Sequence, residues 1–339
     1  MSSSVAARIT HVATHLPDEV LTNDQLAELF PDWPAEKILD KTGIRERRIA
    51  AADETAGDLA FRAGRRLFEE YGVSPGAVDF IILCTQAPDH VLPTTACLLQ
   101  DRLGLATSVG AFDMNLGCSG FVYGLSVAAG LIATQAARSV LLLTADTYSK
   151  YINDGDKSVR TLFGDGAAAT LVQATEGGNI GPFVFGTDGS GGKDLIVKAG
   201  AFRTPRSDQT RVETADASGN IRSDDNLYMN GAGVLGFTLR EVPRMFDALL
   251  QKSGLAVEAV DHVVLHQANK FMLDALQKKL KLPDAKVPRL YEGIGNTVSS
   301  TIPFVLADLI ARGRLQRGQQ LALLGFGVGL SWAGGRITW

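Results

Sequence analysis

The chain has few cysteines, three in 339 residues, and they fall at no paired spacing. That argues against a disulfide scaffold and predicts a reducing, cytoplasmic compartment. Its Cys and His residues show no zinc spacing, so no structural metal is expected. Basic residues are not in excess: Lys and Arg number 33 against 37 Asp and Glu. A nucleic-acid partner is therefore not expected. No apolar run reaches the ~18 residues that a membrane span needs. The stretch from Met1 to Val5 lacks a basic segment leading into an apolar one, so no secretory signal is expected. What is abundant is apolar character, 45% of the residues. At this length that suffices for two domains, or one double domain with a shared core.

Short apolar runs recur at Phe80–Cys84, Ser139–Thr144, Ala167–Val172, His262–Leu265 and Leu321–Leu324. Several are apolar throughout rather than alternating, which predicts strands buried on both faces. Helical periods lie between them, over 55–71, 94–103, 121–136, 235–253, 270–280 and 302–312. Such alternation predicts an α/β protein. The polar stretch 202–227 has little periodicity and reads as a surface excursion or lid without elements of its own.

The chain also repeats itself. The run Asn115-Leu116-Gly117-Cys118-Ser119-Gly120 has an altered counterpart 178 residues later, Gly293-Ile294-Gly295-Asn296. At the same offset, the segment 127–133 matches 305–311 at five of seven positions. At a different offset, 182 residues, Ala77-Val78-Asp79 and the strand after it match Ala259-Val260-Asp261 and its strand, so Cys84-Thr85-Gln86 corresponds to His266-Gln267-Ala268. Two copies of one α/β unit follow, residues 1–175 and 176–339, with the boundary around Ala174 to Gly178.

Where the first copy carries a cysteine, the second offers an asparagine and a histidine. Cys, His and Asn together make a nucleophile, a base and an amide donor. Cys118 is expected to open an apolar helix, where free N–H groups and the helix dipole favour the thiolate. Its small neighbours permit a tight turn and close substrate approach. A free cysteine on an apolar helix is also common in cores, and only the matched Gly-Asn copy favours a site. Cys84 and Cys97 read as core. His266 directly follows a strand, at the sheet edge where ligands bind in open α/β sheets; a structural loop histidine is the alternative. Asn296 alone would read as a turn or cap residue. The glycine-rich run 325–329 imitates a dinucleotide fingerprint, but only ten residues follow, leaving no room for the helix such a site needs. It is better placed to offer a backbone N–H to an oxyanion. Phe163-Gly164-Asp165-Gly166-Ala167 reads as a tight turn leading into a strand.

Six motifs, in order, resemble the β-ketoacyl-(acyl-carrier-protein) synthase III family of the thiolase superfamily, the initiating condensing enzymes of type II fatty acid synthesis. They are the segment Lys41 to Arg47, the Cys118 run, Phe163 to Ala167, His266 to Asn269, Gly293 to Asn296, and Gly325 to Trp332. The resemblance covers nearly the whole chain. It implies a five-layered αβαβα sandwich, a homodimer and a Cys118–His266–Asn296 triad. An oxyanion hole from the backbone N–H groups of Cys118 and Val328 is also implied, with no metal or redox cofactor. Acyl carrier protein and coenzyme A thioesters would be the partners and substrates, through Lys37, Lys41, Lys157 and Asn269. Leu92, as a gate reaching the partner subunit, and Phe326 would shape the acyl pocket. Arg240, Arg244, Lys270, Lys278, Lys279 and Lys281 offer a docking face for an acidic carrier protein, or simply a solvated helix face.

Departures from the family pattern concern the donor. The usual adenine-stacking tryptophan is Lys37, two usual arginines are Lys41 and Lys157, and a carrier-docking arginine falls at Phe271. Arg and Lys are not equivalent toward phosphates, so the donor is open between acetyl-CoA, another acyl-CoA and an acyl carrier protein. Rival activities keep the same three residues: acyl transfer to an alcohol or amine in secondary metabolism, or thioester hydrolysis. A catalytically silent partner of a condensing enzyme would have lost the cysteine.

Overall fold

The computed structural model describes residues 5–177 and 180–339. The expected boundary segment, from Ala174 to Gly178, thus ends at a residue outside the described ones. The first half contains strands β1 (Val5–His15), β2 (Glu19–Thr22), β3 (Glu46–Ile49), β4 (Phe80–Cys84), β5 (Gly110–Met114), β6 (Ser139–Asp146) and β7 (Gly166–Glu176). Its helices are α1 (Asn23–Leu29), α2 (Ala35–Thr42), α3 (Ala56–Tyr71), α4 (Thr95–Arg102), α5 (Gly120–Ala133) and the short α6 (Lys157–Arg160). The second half contains β8 (Ile180–Thr187), β9 (Leu195–Val197), β10 (Thr214–Ala215), β11 (Ile221–Arg222), β12 (Leu227–Met229), β13 (His262–Leu265), β14 (Gln320–Gly327) and β15 (Ser331–Thr338). Its helices are α7 (Gly231–Ser253), α8 (Lys270–Leu280) and α9 (Thr301–Ala311).

The two main sheets share a pattern of strand pairings. One has the order β1-β7-β6-β4-β5 and the other β8-β15-β14-β13. Reading inward, each begins with two antiparallel pairings and continues with a parallel one. Only β5, the edge of the larger sheet, lacks a counterpart.

Helices α5 and α9 lie between the sheets, each touching strands of both. That position explains their composition. A helix covered on all sides must be apolar all round, and α5 carries no charged residue while α9 carries only Asp308. Helices α3 and α4 cover the outer face of the larger sheet, and α7, with α8 beside it, covers the smaller. These are the five layers of an αβαβα sandwich. Local signals set the outer helices: Thr55 and Asp58 form a capping box at the start of α3, and Gly72, with φ +63, ends it in the left-handed conformation that glycine adopts at low cost.

Two expectations are corrected. Cys97 is exposed on α4, not in the core; it falls on the helix face turned away from buried Ala96 and Leu99. The excursion 202–227 is not devoid of elements. Its β10 and β11 pair as a two-stranded ribbon, and its last residue, buried Leu227, pairs with Val197.

Candidate active site

Cys118 lies four residues past β5 and two before α5 begins. Asn296 has the equivalent place in the other half, two residues before a 3-10 turn at Val298–Ser300 that runs into α9. His266 is the first residue after β13. All three are buried and line one cavity of about 320 Å³. Leu162, Leu195, Met229, Leu235 and Phe326 supply much of its apolar wall, and Phe271, 61% exposed, lines it toward solvent.

Each polar side chain is held from behind. The Val298 N–H donates to Asn296 Oδ1 at 3.0 Å, and Asn296 Nδ2 makes no hydrogen bond among the described residues. The Asn296 backbone is clamped by Leu162 and Gly164, its N–H donating to Leu162 C=O and its C=O accepting from Gly164 N–H. The Phe163–Ala167 segment, read from sequence as a turn into a strand, therefore also mounts Asn296. His266 N–H donates to Leu324 C=O at 2.9 Å, and Nδ1 lies 2.7 Å from Thr301 Oγ1. The Phe326 ring stands edge-on to the imidazole, 5.5 Å away. Ser119 Oγ and Ser331 Oγ, 2.7 Å apart, tie the cysteine turn to the glycine-rich loop.

The electrostatics differ from the sequence expectation. Burial pushes the Cys118 thiol up to about 12, and the Asp146 carboxylate adds to this; the backbone N–H groups of Val328 and of Cys118 itself pull the other way. Desolvation thus outweighs the helix terminus and favours the thiol at Cys118, against the thiolate expected there. Burial likewise lowers His266 to about 3. Burial thus favours the neutral forms of both Cys118 and His266. Asp146, wholly buried, is raised to about 7 by desolvation. It accepts from the Gln86 N–H and from Ser299 Oγ, joining the loop after β4 to the Asn296 loop.

The remaining expected positions scatter around the site. Asn269 lines the cavity and caps α8 through a bond from Met272 N–H. Lys157 is paired with the Asp32 carboxylate at 2.8 Å. Lys37 lies over the Trp33 ring and donates to Asp32 C=O, so a tryptophan does stand near this lysine pair, four residues upstream of Lys37. Lys41 is exposed. Lys270, Lys278, Lys279 and Lys281 are exposed on or just after α8, whereas Arg240 and Arg244 on neighbouring α7 both pair with Glu241. Leu92 is 79% exposed and does not line the cavity. Among the described residues, no group of three or more His, Cys, Asp or Glu is placed to hold a metal, and no helix is long and apolar enough to cross a membrane.

Sequence reasoning missed Val298, Thr301 and Arg47 as parts of the site. Arg47 is fully buried behind Gly295 and donates to Leu21 C=O, Asn23 Oδ1 and Thr161 C=O. Its presence in the Lys41–Arg47 motif was the available signal. Gly295, with φ +74, leaves Arg47 that space.

Comparison with known proteins agrees with this architecture. Family models described as 3-oxoacyl-(acyl-carrier-protein) synthase III and its C-terminal part match residues 112–189 and 250–339. The chain is 37% identical to the β-ketoacyl-(acyl-carrier-protein) synthase III of Caldanaerobacter subterraneus subsp. tengcongensis, over 100% of this chain and 99% of that one. A crystal structure of a 3-oxoacyl-(acyl-carrier-protein) synthase III superimposes with a TM-score of 0.98 at 63% identity, covering 98% of this chain and 100% of that one. The priming β-ketosynthase of the R1128 polyketide pathway superimposes with a TM-score of 0.87 at 31% identity, covering 100% and 97%. The chain belongs to the β-ketoacyl-(acyl-carrier-protein) synthase III family, whose members are condensing acyltransferases of the thiolase fold.

Proposed function

We propose that this chain condenses an acyl group with a malonyl thioester, using Cys118, His266 and Asn296. The observation that carries the proposal is the shared apolar cavity, into which two distant halves bring a thiol, an imidazole and a carboxamide. As Cys118 sulfur attacks the donor thioester, His266 Nε2 takes its proton. The oxyanion accepts from the N–H groups of Cys118 and Val328. The donor's C–S bond breaks, and its thiolate leaves and takes a proton from water. A malonyl thioester then enters, and its thioester oxygen accepts from Asn296 Nδ2–H and protonated His266 Nε2–H. Its C–C bond to the carboxylate breaks, carbon dioxide departs, and the electron pair forms the enolate. The enolate attacks acyl-Cys118, and the released thiolate recovers its proton from His266. A 3-ketoacyl thioester results, and no redox cofactor or metal takes part.

Acyl carrier protein is the proposed partner, docking on the α8 lysines. The exposed pair Val91 and Leu92 and the open edge of β5 suit a homodimer. Residues 1–175 and 176–339 are the proposed halves, and three free cysteines suit a reducing cytoplasm.

Intact mass after incubation with acyl-CoA or acyl-carrier-protein donors tests the reading. The wild type gains one acyl group and Cys118→Ala gains none. His266→Ala and Asn296→Ala still acylate to some extent but release no carbon dioxide from malonyl-carrier protein. Acyl retention by Cys118→Ala, or unchanged carbon dioxide release by both other variants, overturns it.

A further inference from the structure

His266 must face the cavity with Nε2 free to take and return a proton, and something must decide which ring nitrogen carries the resting proton. Among the described residues, the hydrogen-bond partner of Nδ1 is Thr301 Oγ1, at 2.7 Å. That hydroxyl also lies 3.2 Å from the Val298 carbonyl oxygen. His266, Thr301 and Val298 are all buried, with no residue more than 2% exposed. A carbonyl oxygen can only accept, so the proton between Val298 and Thr301 belongs to the hydroxyl. With its single proton committed there, Thr301 Oγ1 can only accept from the ring. Nδ1 then carries the hydrogen, and Nε2 presents a lone pair to the cavity. Buried polar groups are satisfied wherever geometry allows, and this arrangement satisfies all three.

Val298 joins this chain to the other polar residue of the site. It is β-branched, buried and left-handed, with φ +55, a conformation unfavourable for such a residue. In that conformation its N–H holds Asn296 Oδ1 while its C=O accepts from Thr301. One strained residue thus holds both side chains of the second half. Nothing in the proposed chemistry touches Thr301 or Val298.

We propose that Thr301 is a positioning residue for His266: anchored on the Val298 carbonyl, its hydroxyl holds the resting imidazole as the Nδ1–H tautomer with Nε2 free toward Cys118. This rests on the condensation reading for its catalytic consequence but not for its structural content. The two are separable by experiment.

The test combines nitrogen-15 NMR of histidine-labelled protein with kinetics. Comparison with His266→Asn assigns the His266 signals. The wild type shows Nδ1 protonated and Nε2 unprotonated at neutral pH. Thr301→Val, which removes the hydroxyl at nearly constant shape, loses that preference. Its kcat for condensation falls about tenfold or more while KM for the malonyl thioester changes less than about threefold. Thr301→Ser restores the tautomer and brings kcat within about threefold of wild type. A wild-type ring protonated on Nε2 overturns the proposal, as does Thr301→Val with unchanged tautomer and unchanged kcat. If Thr301→Val does not fold, the wild-type and Thr301→Ser spectra decide. If the wild type releases no carbon dioxide from any malonyl thioester, the condensation reading fails and the tautomer measurement still stands.

Discussion

A methyl group on Gly327 would lie 2.8 Å from both Cβ and Sγ of Cys118. Real side chains do not approach so closely, so only a glycine lets the end of β14 run against Cys118. The same closeness brings the Val328 N–H to the sulfur.

Gly327→Ala should therefore displace Cys118 or the Val328 amide by several tenths of an ångström. Misplacing reacting groups costs up to about a hundredfold in rate. We expect Cys118 acylation, followed by intact mass, to slow by about that factor while circular dichroism and thermal unfolding show a folded protein. Acylation within threefold of wild type would show that the contact relaxes without consequence.

Two buried groups pull stability in opposite directions with pH. His266 is lowered to about 3 in the fold, against about 6.5 unfolded. Between those values the unfolded chain binds the extra proton, so this contribution is lost as pH falls. Asp146 is raised to about 7 from an unfolded value near 3.8. Between those values the native state holds the extra proton, so its contribution is lost as pH rises. Urea unfolding from pH 4.5 to 6 should separate the two. Relative to wild type, the slope of stability against pH should fall by on the order of 1 kcal/mol per unit in His266→Asn and rise by a similar amount in Asp146→Asn. Slopes that move the same way in both variants would contradict the assigned shifts.

Cys118 should be slow to alkylate at neutral pH, because the thiol is pushed up to about 12 and the thiolate is the nucleophile. With a neutral alkylating reagent, its rate should rise about tenfold per pH unit from pH 7 to 9 without a plateau. Exposed Cys97 should be modified first at pH 7. Peptide mass spectrometry of a Cys97→Ala variant isolates the Cys118 rate. A plateau near neutrality would mean that the resting thiol is already ionised.

Much of the architecture was legible along the chain. The runs at Phe80–Cys84 and His262–Leu265 are apolar throughout because both faces of each strand are covered, and they form strands with those bounds. The offset between Cys118 and Asn296 was readable from the repeated residue pattern, and each residue stands two places before a helical turn. The mount of Asn296 was less legible. Phe163 and Gly164 look like an ordinary turn because nothing local shows that they border Asn296, more than a hundred residues away.

By itself the sequence determined the alternation of elements and singled out Cys118, His266 and Asn296, since periodicity and repetition are properties of residue order. Tertiary structure alone decided that burial favours the thiol at Cys118, that Cys97 faces solvent, and that Thr301 backs His266. Those outcomes depend on how much water each group loses and on which atom lies behind it. Desolvation and contact across 35 residues of chain exist only once the sheets have closed on the two central helices.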